Sequence, residues 1–171
     1  KTLGWIVKNP SRHVDGQVYT KNECLTHHEI KKAFGQETPE NVVKLNETKY
    51  WVIEAKRYHK DLQKALDEAK YYADKINNSS NQIRAIIATG VAGNSTDTFL
   101  IKSEFFDGSD FKVITINGQE STGLFNEDET ELLISQNNAN LADVVIDRRL
   151  FEQKAETINE ILHLGAINKD E

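Results

Sequence analysis

The chain has 171 residues, enough to bury the core of one ordinary domain, and its 38% hydrophobic and 28% charged residues fit a globular protein slightly on the polar side. No run approaches the roughly 18 apolar residues of a membrane helix, no signal-peptide pattern opens the chain, and the single Cys24 excludes an internal disulfide framework. The net charge of −6, from 27 acidic against 21 basic residues, argues against a module that coats DNA by charge alone, but it suits carboxylates gathered around a divalent cation.

In chain order, the first twenty residues carry little periodic signal, with Trp5, Ile6 and Val7 as a short packed lead-in. Residues 22–34 read as a helix, with Leu25, Glu29 and Lys32 at helical intervals and Gly35 as its stop. Residues 41–45 and 49–55 read as two strands joined by the polar turn Asn46-Glu47-Thr48. A helix is predicted over 60–76, where Leu62, Ala65, Leu66, Ala69, Tyr72, Ala73 and Ile76 repeat at three and four. Residues 77–81 are a polar break, and 83–89 form an apolar strand buried on both faces. Residues 99–106 and 111–116 read as a second antiparallel pair, followed by an acidic loop over 126–131 and a helix over 141–164. The order describes a mixed α/β domain with an appended C-terminal helix.

The chemistry concentrates in the first hairpin. Glu54 and Lys56 are two apart on a strand and share one face, while Ile53 and Ala55 are expected to turn to the other face and the core. With the turn centred near Glu47, Glu40 falls opposite Glu54; a slip of one residue would bring Asn41 there instead. Two carboxylates and an ammonium would then lie within a few ångströms across two strands. Carboxylates of this kind hold a divalent metal, and Lys56 would orient a water or stabilise negative charge developing on a phosphate. Lys56, Arg57, His59, Lys60 and Lys64 follow within nine residues as a local phosphate-facing patch.

Pro39-Glu40, a hairpin and Glu54-Ala55-Lys56, followed by Glu68-Ala69-Lys70-Tyr71-Tyr72 on a helix, resemble the PD-(D/E)xK nuclease superfamily. More narrowly, they are similar to the N-terminal nuclease domain of type I restriction subunits and of fused restriction endonuclease–N6-adenine DNA methyltransferases. Tyr72 matches the tyrosine of the family's helical Q-x-x-x-Y motif, Glu68 replaces its glutamine, and Glu40 stands where an aspartate is usual. The resemblance spans residues 34–89, about half the chain. It implies an α/β restriction-endonuclease-like fold, a mixed sheet flanked by helices, and Mg2+- or Mn2+-dependent cleavage of double-stranded DNA; the single cysteine fits a reducing cytoplasm. Glu40 and Glu54 would bind the metal together with the Ala55 carbonyl, and Glu40, Glu54 and Lys56 would carry catalysis. Glu68, Tyr72, Arg57 and Lys60 would support the site or touch DNA, and Glu23 and Glu29 are the candidates for a further helical carboxylate. Residues 155–163 are similar to the linker before N6-adenine methyltransferase regions. The expectation is a nuclease domain over 1–135, with its core at 22–116, and a helical linker over 136–171 toward a methyltransferase or helicase region of a longer chain, with a homodimer as a further partner.

Plainer assignments compete at each position. Glu54 and Lys56 would suit a solvated edge strand, Glu40 a loop, and Tyr72 the core, and the cations of 56–64 a solvated helix face. A nuclease fold that only binds DNA or docks a methyltransferase, and an interaction domain without nucleic acid, are the two alternatives in function. His27-His28-Glu29 lacks a second histidine at metalloprotease spacing, and residues 90–96 lack the lysine of a phosphate loop, so they read as a loop after a buried strand.

Overall fold

The computed structural model describes residues 3–116 and 118–142, with side chains to residue 135. The chain divides into two units after Thr130. The first is mixed α/β, built on a six-stranded sheet in the order β1-β2-β3-β4-β5-β6: Val18–Thr20, Asn41–Lys44, Lys49–Lys56, Arg84–Asn94, Thr98–Phe106 and Phe111–Val113. Every neighbouring pair is antiparallel except β3 and β4, which run parallel because helix α2 (Leu62–Ser79) carries the chain back between them.

The hairpin between β2 and β3 forms as predicted. The Asn46 carboxamide accepts from the backbone N–H groups of Thr48 and Lys49 at 2.9 Å each, so this side chain closes the turn. The turn fixes the register at Asn41↔Ile53 and Val43↔Trp51, without a slip. Alternation along the strands then sorts the side chains. Tyr19, Val42, Tyr50, Val52, Ala85 and Ala88 join Ile30 and Phe34 of α1 (His28–Phe34) and Ala69, Ala73 and Ile76 of α2 in one core. Each fully buried side chain of isoleucine size contributes about 1.5–3 kcal/mol there. On the opposite face, Trp51 packs against Trp5 and Phe125, and its indole N–H reaches the Thr89 hydroxyl at 2.8 Å, which in turn meets the Ser103 hydroxyl at 2.7 Å.

Several predicted elements change. The helix expected over 22–34 is broken into a 3-10 turn, Lys21–Thr26, and α1, because His27 is extended and caps α1 by accepting from Ile30 N–H. Strand β1 was not legible in the first twenty residues; it is only three residues long, and its identity depends on pairing with β2. Ile53 is half-buried and Ala55 exposed, so their face of the strand end lies outside the core, whereas Glu54 is buried. Helix α2 runs on to Ser79, because the Asn77 carboxamide bridges to the Ala85 N–H and C=O and fastens the helix end to β4. Strand β4 runs through the stretch expected as a loop, to Asn94, and Gly90 lets α2 approach: a Cβ there would collide with the backbone of Ala65 and Leu66.

Ile114 turns inward and is buried, ending β6; β7 (Thr115–Ile116) then pairs with β8 (Gln119–Glu120) as a separate ribbon. The expected acidic loop instead opens a helix, α3 (Glu127–Ala142). Asn126 and Glu129 exchange side-chain-to-backbone hydrogen bonds of 2.8 Å, a capping box that makes the acidic residues a helix start. The second unit begins inside this helix, at Glu131. Of the helix expected over 141–164, Leu141 and Ala142 fall in α3, and the rest, with the apolar stripe of Leu150, Phe151, Ile158, Ile161 and Leu162 and the linker-like residues 155–163, lies outside the described residues. No helix among the described residues is long and apolar enough to cross a membrane.

Candidate active site

Strand β3 outruns its neighbour. Pairing with β2 ends at Asn41↔Ile53, while pairing with β4 continues through Lys56↔Ala92, so Glu54, Ala55 and Lys56 have a strand on one side only. The chain entering β2 crosses that open edge, and Glu40 N–H donates to Glu54 Oε2 at 3.1 Å. The sequence-derived register holds as far as Asn41↔Ile53; beyond it Glu40 meets Glu54 not as a strand pair but through its N–H, which donates to the Glu54 carboxylate. The Glu40 carboxylate, however, turns outward to Lys21 Nζ at 3.0 Å.

The second carboxylate of the cluster comes from α2. Lys56 Nζ lies 3.3 Å from Glu54 Oε1 and 2.5 Å from Glu68 Oε2. Helical spacing puts Lys64 four residues before Glu68, where the two stand 4.0 Å apart, and Tyr72 four residues after it. Tyr72 packs edge-on against Phe34, with ring centroids 5.1 Å apart. One ammonium thus bridges two carboxylates, on a strand end and a helix that the parallel crossover brings side by side.

Burial sets the electrostatics. Glu54 is only 7% exposed, and desolvation pushes its carboxyl above the ordinary 4.5, against the lowering effects of the Glu40 N–H and of Lys56. Desolvation acts against the charge on Lys56, but its hydrogen bonds and Coulomb attraction to Glu68 and Glu54 outweigh it, and its pKa is raised from 10.5. Burial first, and then the nearby charges of Glu54, Glu37 and Glu68, raise the Tyr72 phenol. Such a cluster holds a carboxylate that gains from any added positive charge, beside an ammonium that stays protonated at neutral pH.

Other predicted residues are spent elsewhere. Glu23 closes a capping box, accepting from the Thr20 hydroxyl at 2.6 Å and the Thr20 N–H at 3.1 Å. Glu29 stands 3.8 Å from His28 Nε2. Arg57 and Lys60 are exposed and lie over the Tyr58 ring, at 5.7 and 5.8 Å from its centroid. Among the described residues, no three His, Cys, Asp or Glu side chains gather in a metal-binding arrangement. The hard-oxygen donors that meet in the cluster are the Glu54 and Glu68 carboxylates, both on Lys56; the Glu40 carboxylate faces Lys21 instead. Magnesium accepts one or two such carboxylates and keeps waters for its remaining positions, but here a lysine ammonium occupies the place between them.

Glu68 was expected only in support, in place of a glutamine; the structure makes it a direct partner of Lys56. The available signal was the i,i+4 line Lys64, Glu68, Tyr72 on the flank of the apolar stripe. Compared with family models, with curated proteins and with solved structures, the chain matches none.

Proposed function

We propose that the chain is a metal-dependent DNA endonuclease domain of a bacterial restriction–modification protein, with N6-adenine DNA methyltransferase activity elsewhere in the same protein. The observation that carries this reading is the buried Glu54, joined by Lys56 to Glu68 at the open end of β3. Glu54 and Glu68 would hold Mg2+ or Mn2+, with the Ala55 carbonyl and, on leaving Lys21, the Glu40 carboxylate joining the shell. The cation, when bound, supplies Lewis-acid activation of water and neutralises charge on the phosphate. Glu54 meets it as a carboxylate raised in basicity by burial. Lys56 donates hydrogen bonds and positive charge to the phosphate oxygens as a water oxygen, giving its proton to solvent, bonds to phosphorus and the bond to the leaving oxygen breaks, that oxygen taking a proton from solvent. Glu68 sets the position of Lys56, and Tyr72 backs Glu68 on the helix. Double-stranded DNA is the proposed substrate, the cytoplasm its compartment, and a homodimer the arrangement for cutting both strands.

A second reading is favoured by one feature, the Glu40 carboxylate held on Lys21. With that carboxylate engaged, the domain would bind DNA or dock the methyltransferase without cutting. Plasmid nicking in Mg2+ or Mn2+, with an EDTA control and a gel-shift assay at low salt, separates the two. Nicking that stops in Lys56→Ala supports the nuclease. Binding without nicking supports the silent module, and neither binding nor nicking leaves an interaction domain without nucleic acid.

A further inference from the structure

Immediately past the cluster, the chain places an aromatic ring in solvent. Tyr58 is 56% exposed, two residues beyond Lys56, which keeps its Cα within about 7 Å of the Lys56 Cα. The guanidinium of Arg57 and the ammonium of Lys60 both lie over this one ring. The segment is pinned: His59 Nε2 meets the Thr98 carbonyl at 3.2 Å, and a Cβ at Gly93 would strike that same carbonyl and the His59 ring. Tyr58 is one of several exposed aromatic rings; what sets it apart is two cations over one ring, on a turn anchored by His59 next to the carboxylate cluster. Nucleic acid with its bases unpaired offers phosphates that would draw the two cations off the ring and a flat base to take their place over it.

On this basis we propose that Tyr58 is a stacking platform for an unpaired nucleotide, with Arg57 and Lys60 taking the flanking phosphates. The inference rests on the nuclease reading of the Glu54–Lys56–Glu68 cluster and narrows its cut sites within double-stranded DNA to places where at least one base beside the cut is unpaired. In an intact duplex the base faces are already stacked, and exposing one costs energy, so the ring favours single-stranded or locally opened DNA.

Fluorescence anisotropy at low salt with a chelator tests it, using a labelled oligodeoxythymidylate of about 12 nucleotides and a blunt hairpin duplex. Tyr58→Ala is expected to weaken binding of the oligothymidylate by roughly fivefold to a hundredfold and that of the duplex far less, with Tyr58→Phe close to the parent. Arg57→Ala with Lys60→Ala is expected to weaken both probes and to lower the single-strand salt slope by roughly 0.7 per cation removed. Oligothymidylate binding unchanged in Tyr58→Ala overturns the platform while leaving the nuclease reading intact. Absence of binding to both probes, together with absence of nicking, overturns both.

Discussion

Replacing Lys56 by methionine keeps most of the aliphatic stem and removes the one ammonium shared by Glu54 and Glu68. Glu54, whose side chain is 9% exposed, then keeps only the Glu40 N–H as compensation for its charge. Leaving a hydrogen-bonded charge without its partner costs about 3–5 kcal/mol at a fully buried site. The Lys56 side chain is 25% exposed and Glu68 35%, so water reaches part of the cluster and we expect about 1–3 kcal/mol. The sign with pH follows from Glu54. Its folded pKa lies above 4.5, so its neutral form favours the folded state, and that contribution is lost as pH rises through the folded value. Losing Lys56 raises the folded value further. The destabilisation should therefore be largest near neutral pH and shrink below 4.5, where Glu54 is protonated in both states. Urea unfolding on either side of that pH measures it, and Glu54→Gln combined with Lys56→Met should recover most of the loss. A pH-independent loss, or a double variant that sums the two single losses, would refute the coupling.

The Cys24 thiol, fully buried and pushed up to about 12 by desolvation, should not react with a thiol reagent at neutral pH except at the rate of unfolding; rapid native labelling would contradict its burial. Gly90→Ala should destabilise by about 1–3 kcal/mol in a thermal or urea melt, because the added methyl meets the α2 backbone rather than a movable side chain. Thr89→Val removes the acceptor of the buried Trp51 N–H and should cost about 1–3 kcal/mol, visible as a lower urea midpoint with altered tryptophan emission. Mn2+ binding should strengthen as pH rises from 4.5 through the raised Glu54 value and release protons in that window, which calorimetry in buffers of different ionisation enthalpy measures.

How much was legible in the sequence depended on whether a residue's role was set locally. The β2–β3 register was legible because Asn46 closes the turn within five residues, and that turn alone brings the Glu40 backbone to Glu54. The direction of the Glu40 carboxylate was not, since its partner Lys21 lies just past the end of β1, nineteen residues away in sequence, and β1 itself was not legible. Helix α2 was legible from its apolar stripe, but its extension to Ser79 depends on Asn77 meeting β4. Residues 90–94 look like a loop because two glycines and a polar end carry no strand pattern. They form a strand because β3 and β5 flank them and α2 requires a residue without Cβ at Gly90. Glu68 could be placed on the helix flank, but its bond to Lys56 appears only once the parallel crossover sets α2 against the end of β3.

The most direct measurement is the initial rate of supercoiled-plasmid nicking in Mg2+ by the parent and by Glu54→Gln, each shown to be folded by circular dichroism. If Glu54 holds the cation beside Lys56, nicking is abolished by EDTA and falls by about a hundredfold or more in the variant. Equal rates in parent and variant, or nicking indifferent to EDTA, would contradict it.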